Sequence, residues 1–167
     1  MQQQRLQILQ NMPIFGGIRE DILESILNDV PIVTVRQGQY FFREQDPGTS
    51  MYVLEAGTVL VLKSWKGQDY VLAELHRGDC FGEMSLIDLG PRTASVLAIA
   101  DCAAIKLTNA TILKLYRQDL EQQLMIQMNM AREVSRRLRH TDEVLFEKYV
   151  EAQKFMTLNA HPALAFS

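Results

Sequence analysis

The chain has 167 residues, 47% hydrophobic and 22% charged, which is enough apolar content for one packed core under an ordinary charged surface. Its 17 Lys and Arg against 20 Asp and Glu leave a net charge of −3, which argues against a sequence-independent nucleic-acid binder with a basic stripe. Cys80 and Cys102 are too few and too far apart for a zinc knuckle, an iron–sulfur cluster or a disulfide scaffold.

The opening MQQQRLQILQNM lacks the charged-then-apolar order of a signal peptide, and no apolar run approaches the roughly 20 residues that span a bilayer. A cytoplasmic, single-domain protein without membrane contact is expected. Over 1–30, Leu6, Ile8 and Leu9, then Ile18, Ile22, Ile26 and Leu27, recur at helical spacing. Gly16-Gly17 breaks this stretch into two short helices and Pro31 closes it. Over 31–108 the pattern turns strand-like, with β-rich runs at 32–35, 40–42, 51–54, 59–62, 70–75, 95–99 and 103–107. Gly38, Pro47-Gly48, Gly57, Gly67, Gly78 and Gly90-Pro91 punctuate them, and Trp65-Lys66-Gly67-Gln68 reads as a hairpin tip. A further strand ends at Gly82, and 83–88 reads as one turn of helix. Many short strands at this spacing predict a mainly β fold with flanking helices, a jelly-roll barrel (double-stranded β-helix) or sandwich.

Over 109–155 the chain is helical again. Asn109 or Thr111 is the expected cap of a helix through Tyr116, and Asp119 that of a second, with Gln122 at the reciprocal position. That second helix runs without Gly or Pro through Gln153, about 35 residues or roughly 50 Å. Ala131, Leu138, Leu145 and Ala152 recur every seven residues, and Leu120, Leu124, Met128 and Val134 extend the same side. Such a stripe fits either the chain's own barrel or the same helix of a second subunit; its length and periodicity favour a homodimer. The rest, 156–167, is a tail in which 159–167 has no strong pattern and is expected to be disordered.

The chemistry concentrates in 78–96. The helical turn that opens at Glu83, Met84 and Ser85 exposes unpaired backbone N–H groups and a partial positive charge, a ready anion site. Gly82 removes the side chain that would keep an anion from that backbone. Arg92, after the Gly90-Pro91 turn and at the start of the next strand, can fold back over the same spot with forked, permanently charged donors. Glu83 beside an anion would be repelled, so its purpose is to accept hydrogen bonds from a sugar hydroxyl. Together these groups describe a ribose phosphate. Read singly, Glu83 and Arg92 are equally consistent with a surface ion pair.

Phe81-Gly82-Glu83-Met84-Ser85 and Pro91-Arg92-Thr93-Ala94 closely resemble the phosphate-binding cassette of cyclic nucleotide-binding domains. That family includes the bacterial catabolite activator, regulatory subunits of cyclic-nucleotide-dependent kinases and nucleotide-gated channels. The likeness extends upstream to Gly38-Gln39-Tyr40-Phe41-Phe42-Arg43-Glu44-Gln45-Asp46-Pro47-Gly48, Met51-Tyr52-Val53-Leu54 and Ala56-Gly57-Thr58-Val59. The resemblance implies an eight-stranded jelly roll flanked by helices, with cAMP or cGMP as ligand and no cofactor. It implies that Glu83 accepts the ribose 2′-hydroxyl, that Arg92 pairs the cyclic phosphate, and that the backbone N–H groups of Gly82, Met84 and Ser85 complete the cradle. Thr93 sits where family members carry Ser, Thr or Ala, and leaves the base open. The long helix resembles the family's dimerisation helix, and the run Arg136-Arg137-Leu138-Arg139-His140-Thr141-Asp142 matches its adenine-contacting region. Thr141, with Asp142 of the partner subunit, is the implied base contact. Catabolite-activator relatives continue into a winged helix-turn-helix reader of DNA. Only about 15 residues follow the long helix here, so a stand-alone member without direct DNA binding is expected.

His76, His140 and His161 are scattered, where a metal barrel needs clustered ligands, so neither a metal site nor an enzyme is expected. Arg132, Arg136, Arg137 and Arg139 read as a solvated helix face balanced by Glu133, Asp142 and Glu143. The expected output is a change in helix geometry passed to a downstream protein. The alternative is a nucleotide-independent regulatory subunit that uses the barrel as a docking platform.

Overall fold

The alternation of residues along two central strands decides the architecture. In the computed structural model, which describes residues 2–160 and the side chains of 3–153, β3 (Ser50–Ala56) and β8 (Cys102–Thr108) pair antiparallel, with Val53 opposite Ile105. Met51, Val53, Ile105 and Leu107 project from one face into a cluster with Leu9, Ile14, Phe15, Leu23, Leu115 and Ile126, the apolar sides of the helices. Tyr52, Leu54, Cys102 and Ala104 project from the other face into the barrel interior, against Val59, Phe81, Val96 and Ala98. A strand buried on both faces reads as a continuous apolar run, which is why 51–54 carries no polar residue.

Eight strands are present among the described residues, in two four-stranded sheets. One has the order β1 (Ile32–Val35), β8, β3, β6 (Cys80–Phe81). The other has the order β2 (Tyr40–Phe42), β7 (Ser95–Ala98), β4 (Val59–Trp65), β5 (Gln68–Leu75). All pairings are antiparallel, and the two sheets face each other as the expected jelly roll. The hairpin between β4 and β5 turns at Lys66 and Gly67, at φ of 51° and 81°, the left-handed pair that a two-residue hairpin loop requires.

Five α-helices are present among the described residues: α1 (Gln2–Gln10), α2 (Glu20–Asp29), the short α3 (Met84–Ile87), α4 (Asn109–Gln118) and α5 (Leu120–Ala160). A 3₁₀ turn at Pro13–Phe15 and Gly17, at φ 76°, separate α1 from α2, where Gly16-Gly17 was expected to break the helix. Acidic Glu20 and Asp21 occupy the first turn of α2, where they complement the helix dipole. Capping of α4 differs from expectation by one residue. Thr108, still extended as the last residue of β8, accepts the backbone N–H of Thr111 at 3.2 Å; neither Asn109 nor Thr111 is the cap. Asp119 caps α5 as expected, taking the N–H of Gln122 at 3.1 Å. The reciprocal half does not form, because the Gln122 side chain accepts the backbone N–H of Arg19 at 2.8 Å, at the start of α2. Asn129 adds a second tie, donating to the carbonyls of Ile14 at 3.1 Å and Gly16 at 2.8 Å. The base of α5 is thus stitched to the N-terminal helices by buried polar contacts as well as by Ile126.

The chain divides into two units, Met1–Met130 and Ala131–Ser167. The first holds the barrel, α1–α4 and the start of α5. In the second the described residues are the remainder of α5, with Leu138, Leu145, Phe146 and Tyr149 exposed. There Glu133 accepts from Arg136 at 2.6 Å and from Arg137 at 3.1 Å, pairs that hold its carboxyl below the usual range. The helix runs past the expected end at Gln153 to Ala160. Of the expected tail, 161–167 lie outside the described residues, as does His161. No helix among the described residues is long and apolar enough to cross a membrane.

Candidate functional site

The segment 82–93 folds over one end of the barrel as a turn of helix and a return loop. β6 delivers Phe81 into the barrel and ends at Gly82, where the backbone takes φ +79°. A side chain there would meet the Arg92 guanidinium, since a Cβ would lie 2.6 Å from its Nη1. Glu83 follows and α3 begins at Met84. Glu83 and Ser85 are buried and Met84 is largely exposed. Ser85 packs onto Gly48, in the turn after β2, so closely that a Cβ at Gly48 would stand 2.2 Å from its Oγ. After α3, Asp88 accepts the N–H of Gly90 at 2.9 Å and tightens the return.

Arg92 lies in this return loop, three residues before β7, and not in a strand as the sequence suggested. Its backbone is nevertheless pinned like a strand residue: its N–H donates to the Asp46 carbonyl and its carbonyl accepts the N–H of Gln45, both at 2.9 Å. The side chain is only 3% exposed. Its Nη1 donates to the Gly82 carbonyl at 3.0 Å and its Nη2 to the Ser50 hydroxyl at 3.1 Å. The guanidinium lies 4.0 Å over the Phe42 ring and 5.9 Å from that of Tyr52. The Nε–H is buried with no partner. Burial holds the guanidinium below its ordinary pKa, against the opposing pull of Tyr52, Asp46 and Glu83. Beneath it, Phe41, Phe42, Tyr52 and Phe81 form an aromatic box, with Tyr52 and Phe81 stacked at 5.4 Å.

Thr93 sits exposed on the rim. Its hydroxyl lies 3.7 Å from the Met84 sulfur, and its carbonyl accepts from Lys63 Nζ at 2.8 Å. Lys63 also pairs with Glu44 at 2.5 Å and draws that carboxyl below its usual range.

Gly82, Glu83, Met84, Ser85, Arg92 and Thr93 therefore share one small region of the first unit. Thr141 and Asp142 belong to the second unit; both are exposed, and the Thr141 hydroxyl donates back to the Arg137 carbonyl at 2.9 Å. Sequence reasoning missed Ser50, Phe42 and Gly48. They lie far along the chain: Tyr52 opposite Phe81 is the register that sets Ser50 beside Gly82, and Phe42 and Gly48 come from β2 and the turn after it. Chemically, the region offers a desolvated guanidinium with a spare donor, a buried carboxyl, and the first turn of a helix. Among the described residues no group of three or more His, Cys, Asp or Glu is arranged to hold a metal ion. A separate concavity of about 460 Å³, lined by Gln4, Gln7, Asn11, Arg77 and Asp79 among others, shares no residue with the site.

A family model described as the cyclic nucleotide-binding domain matches residues 32–119. The chain is 31% identical over 135 residues to the cyclic AMP receptor protein of Thermus thermophilus, a match covering 80% of this chain and 61% of that protein. It is 30% identical over 99 residues to the cAMP-dependent protein kinase regulatory subunit of Emericella nidulans, covering 59% of this chain and 24% of the other. The crystal structure of Thermus thermophilus catabolite activator protein shares its fold with a TM-score of 0.73 at 31% identity, over 82% of this chain and 63% of that one. The chain thus spans less than two thirds of the length of these relatives.

Proposed function

The chain belongs to the cyclic nucleotide-binding domain family, and on that premise we propose that it is a sensor that binds cAMP in preference to cGMP without catalysing a reaction. The observation that carries the proposal is the buried Arg92 guanidinium, held on the Gly82 carbonyl close to Glu83, with its Nε–H buried and without a partner. A cyclic phosphate supplies the acceptor that the Nε–H lacks. Glu83 accepts the ribose 2′-hydroxyl, and the backbone N–H groups of Gly82, Met84 and Ser85 complete the cradle. The preference for adenine is supported by the two relatives named for cAMP; Thr93 is compatible with either base.

Binding is transmitted through helices. Capture of the phosphate draws α3 inward, and α4 carries the displacement to α5. That coupling needs a ligand with unequal affinity for the two helix arrangements. The second unit then acts as the seam of a homodimer, in which Thr141 of one subunit and Asp142 of the partner subunit contact the base, and the altered seam signals to a downstream protein. The chain has only two cysteines, Cys80 and Cys102, both buried, a usage that fits a cytoplasmic setting. Light scattering at micromolar concentration is expected to give the mass of a dimer; a monomer would defeat the seam.

Isothermal titration with cAMP and cGMP tests the reading directly. Saturable binding of both is expected, with cAMP the tighter. One observation favours a second reading, a docking platform indifferent to nucleotide: Trp65, Tyr70, Val71 and Leu72 stand exposed on the β4–β5 hairpin. That reading predicts no heat and no thermal shift with either nucleotide.

A further inference from the structure

We infer that Ser50 is the positioning residue of Arg92, and that it fixes which edge of the guanidinium meets an anion. The inference rests on the reading of the site as a cyclic-phosphate pocket. Ser50 opens β3, only 3% exposed, and pairs with Thr108 of β8 at the edge of the barrel. Its hydroxyl is engaged both as donor and as acceptor: it donates toward the Tyr52 hydroxyl at 3.4 Å and accepts from Arg92 Nη2 at 3.1 Å. With Nη1 held by the Gly82 carbonyl and the plane laid on Phe42, the guanidinium has two hydrogen bonds and one stacking contact that define its orientation. Nε is the one guanidinium nitrogen that makes no hydrogen bond, while Nη1 and Nη2 each spend one of their two N–H groups. Because Nη1 and Nη2 are each already engaged and Nε is not, the phosphate is met on the Nε side of the guanidinium and not end-on through both terminal nitrogens. Without the Ser50 hydroxyl the Nη2 side of the plane is released, and the guanidinium regains the freedom to turn its terminal nitrogens to the ligand.

Side-on capture treats the two exocyclic phosphate oxygens unequally. The test is titration of the unaltered chain, Ser50→Ala, Arg92→Ala and the double variant with cAMP and with the two cyclic adenosine phosphorothioate diastereomers, in which one or the other exocyclic oxygen is sulfur. Ser50→Ala is expected to weaken cAMP about tenfold, the scale of one hydrogen bond to a charged group, and to compress the preference between diastereomers toward unity. In the Arg92→Ala background the same change is expected to add no more than about twofold, because its effect passes through the arginine. Ser50→Thr, which keeps the hydroxyl in a residue suited to a strand, is expected to retain the diastereomer preference and guards against a misfolded alanine variant. Ser50→Ala binding as tightly as the unaltered chain or more tightly, a full extra loss in the Arg92→Ala background, or equal binding of the diastereomers by the unaltered chain would each overturn the inference while leaving the pocket standing. Failure of the unaltered chain to bind any cyclic nucleotide would remove both.

Discussion

Arg92→Ala is expected to weaken cyclic-nucleotide binding by about 2–5 kcal/mol, the scale of removing one partner from a buried, hydrogen-bonded charge pair, and to lower fold stability by much less. The asymmetry follows from where the charge sits. The side chain is almost wholly buried, and burial pushes its pKa down from the ordinary arginine value. A base whose folded pKa lies below its unfolded one binds its proton more weakly when folded, so at every pH below the folded value the charged form is a standing cost to the fold. That cost is relieved only as pH climbs through the folded value, in the alkaline range. Stability therefore has no titration from Arg92 near neutrality. The contacts to Ser50, Gly82 and Phe42 offset part of the cost, and an incoming phosphate offsets more, because an opposite charge in a dry site is worth far more than one in water. Truncation to alanine removes cost and compensation together from the fold but removes only attraction from the complex. Arg92→Lys keeps the charge and loses the planar fork that spans Ser50 and Gly82, so it should fall nearer to alanine than to arginine. Titration calorimetry paired with thermal unfolding separates the two effects. Affinity retained by Arg92→Ala would end the role assigned to this residue.

What the sequence made legible, and what it hid, divide along a physical line. Strands punctuated by Gly and Pro were readable because each turn residue acts locally: Lys66-Gly67 takes the left-handed pair its hairpin needs, and the short helix at 84–87 is fixed by Gly82 before it and the Asp88–Gly90 turn after it. That the six candidate positions from Gly82 to Thr93 lie close together follows from the same locality, since all fall within one loop of chain. Ser50, Phe42 and Gly48 were not readable in this way. Ser50 lies 42 residues from Arg92 and meets it through the β3–β6 pairing, which no spacing along the chain encodes. Capping shows the same limit at smaller scale. Asp119 was legible as a cap from its own neighbours, but Gln122 satisfies the N–H of Arg19, 103 residues away, because α2 arrives there in the fold. Thr108 escaped notice because it serves two elements, ending β8 and capping α4.

Gly82→Ala is expected to cost about 2–4 kcal/mol of stability, and Gly78→Ala only about 1–2, although both glycines adopt positive φ, +79° and +93°. The shared part is the left-handed backbone, which an L side chain resists at either position. The difference is space. A Cβ at Gly78 meets nothing within 4 Å, whereas at Gly82 it falls 2.6 Å from Arg92 Nη1, 3.2 Å from the Ser50 carbonyl oxygen and 3.3 Å from Phe42 Cε1. Each of those neighbours is held. The Ser50 carbonyl belongs to a paired strand, Phe42 is part of the aromatic box, and Nη1 is itself bonded to the Gly82 carbonyl. Arg92 is the most able to give, since its far end rotates, so the methyl group should expel the guanidinium from the face of Phe42 and take the anion site with it. Gly82→Ala should therefore lose affinity on the scale of Arg92→Ala, while Gly78→Ala binds like the unaltered chain. Urea unfolding measures the first contrast and calorimetry the second. Equal stability losses at the two glycines would mean that the loop shifts to absorb the methyl, and that the close approach of Gly82 to Arg92 is not what the site requires.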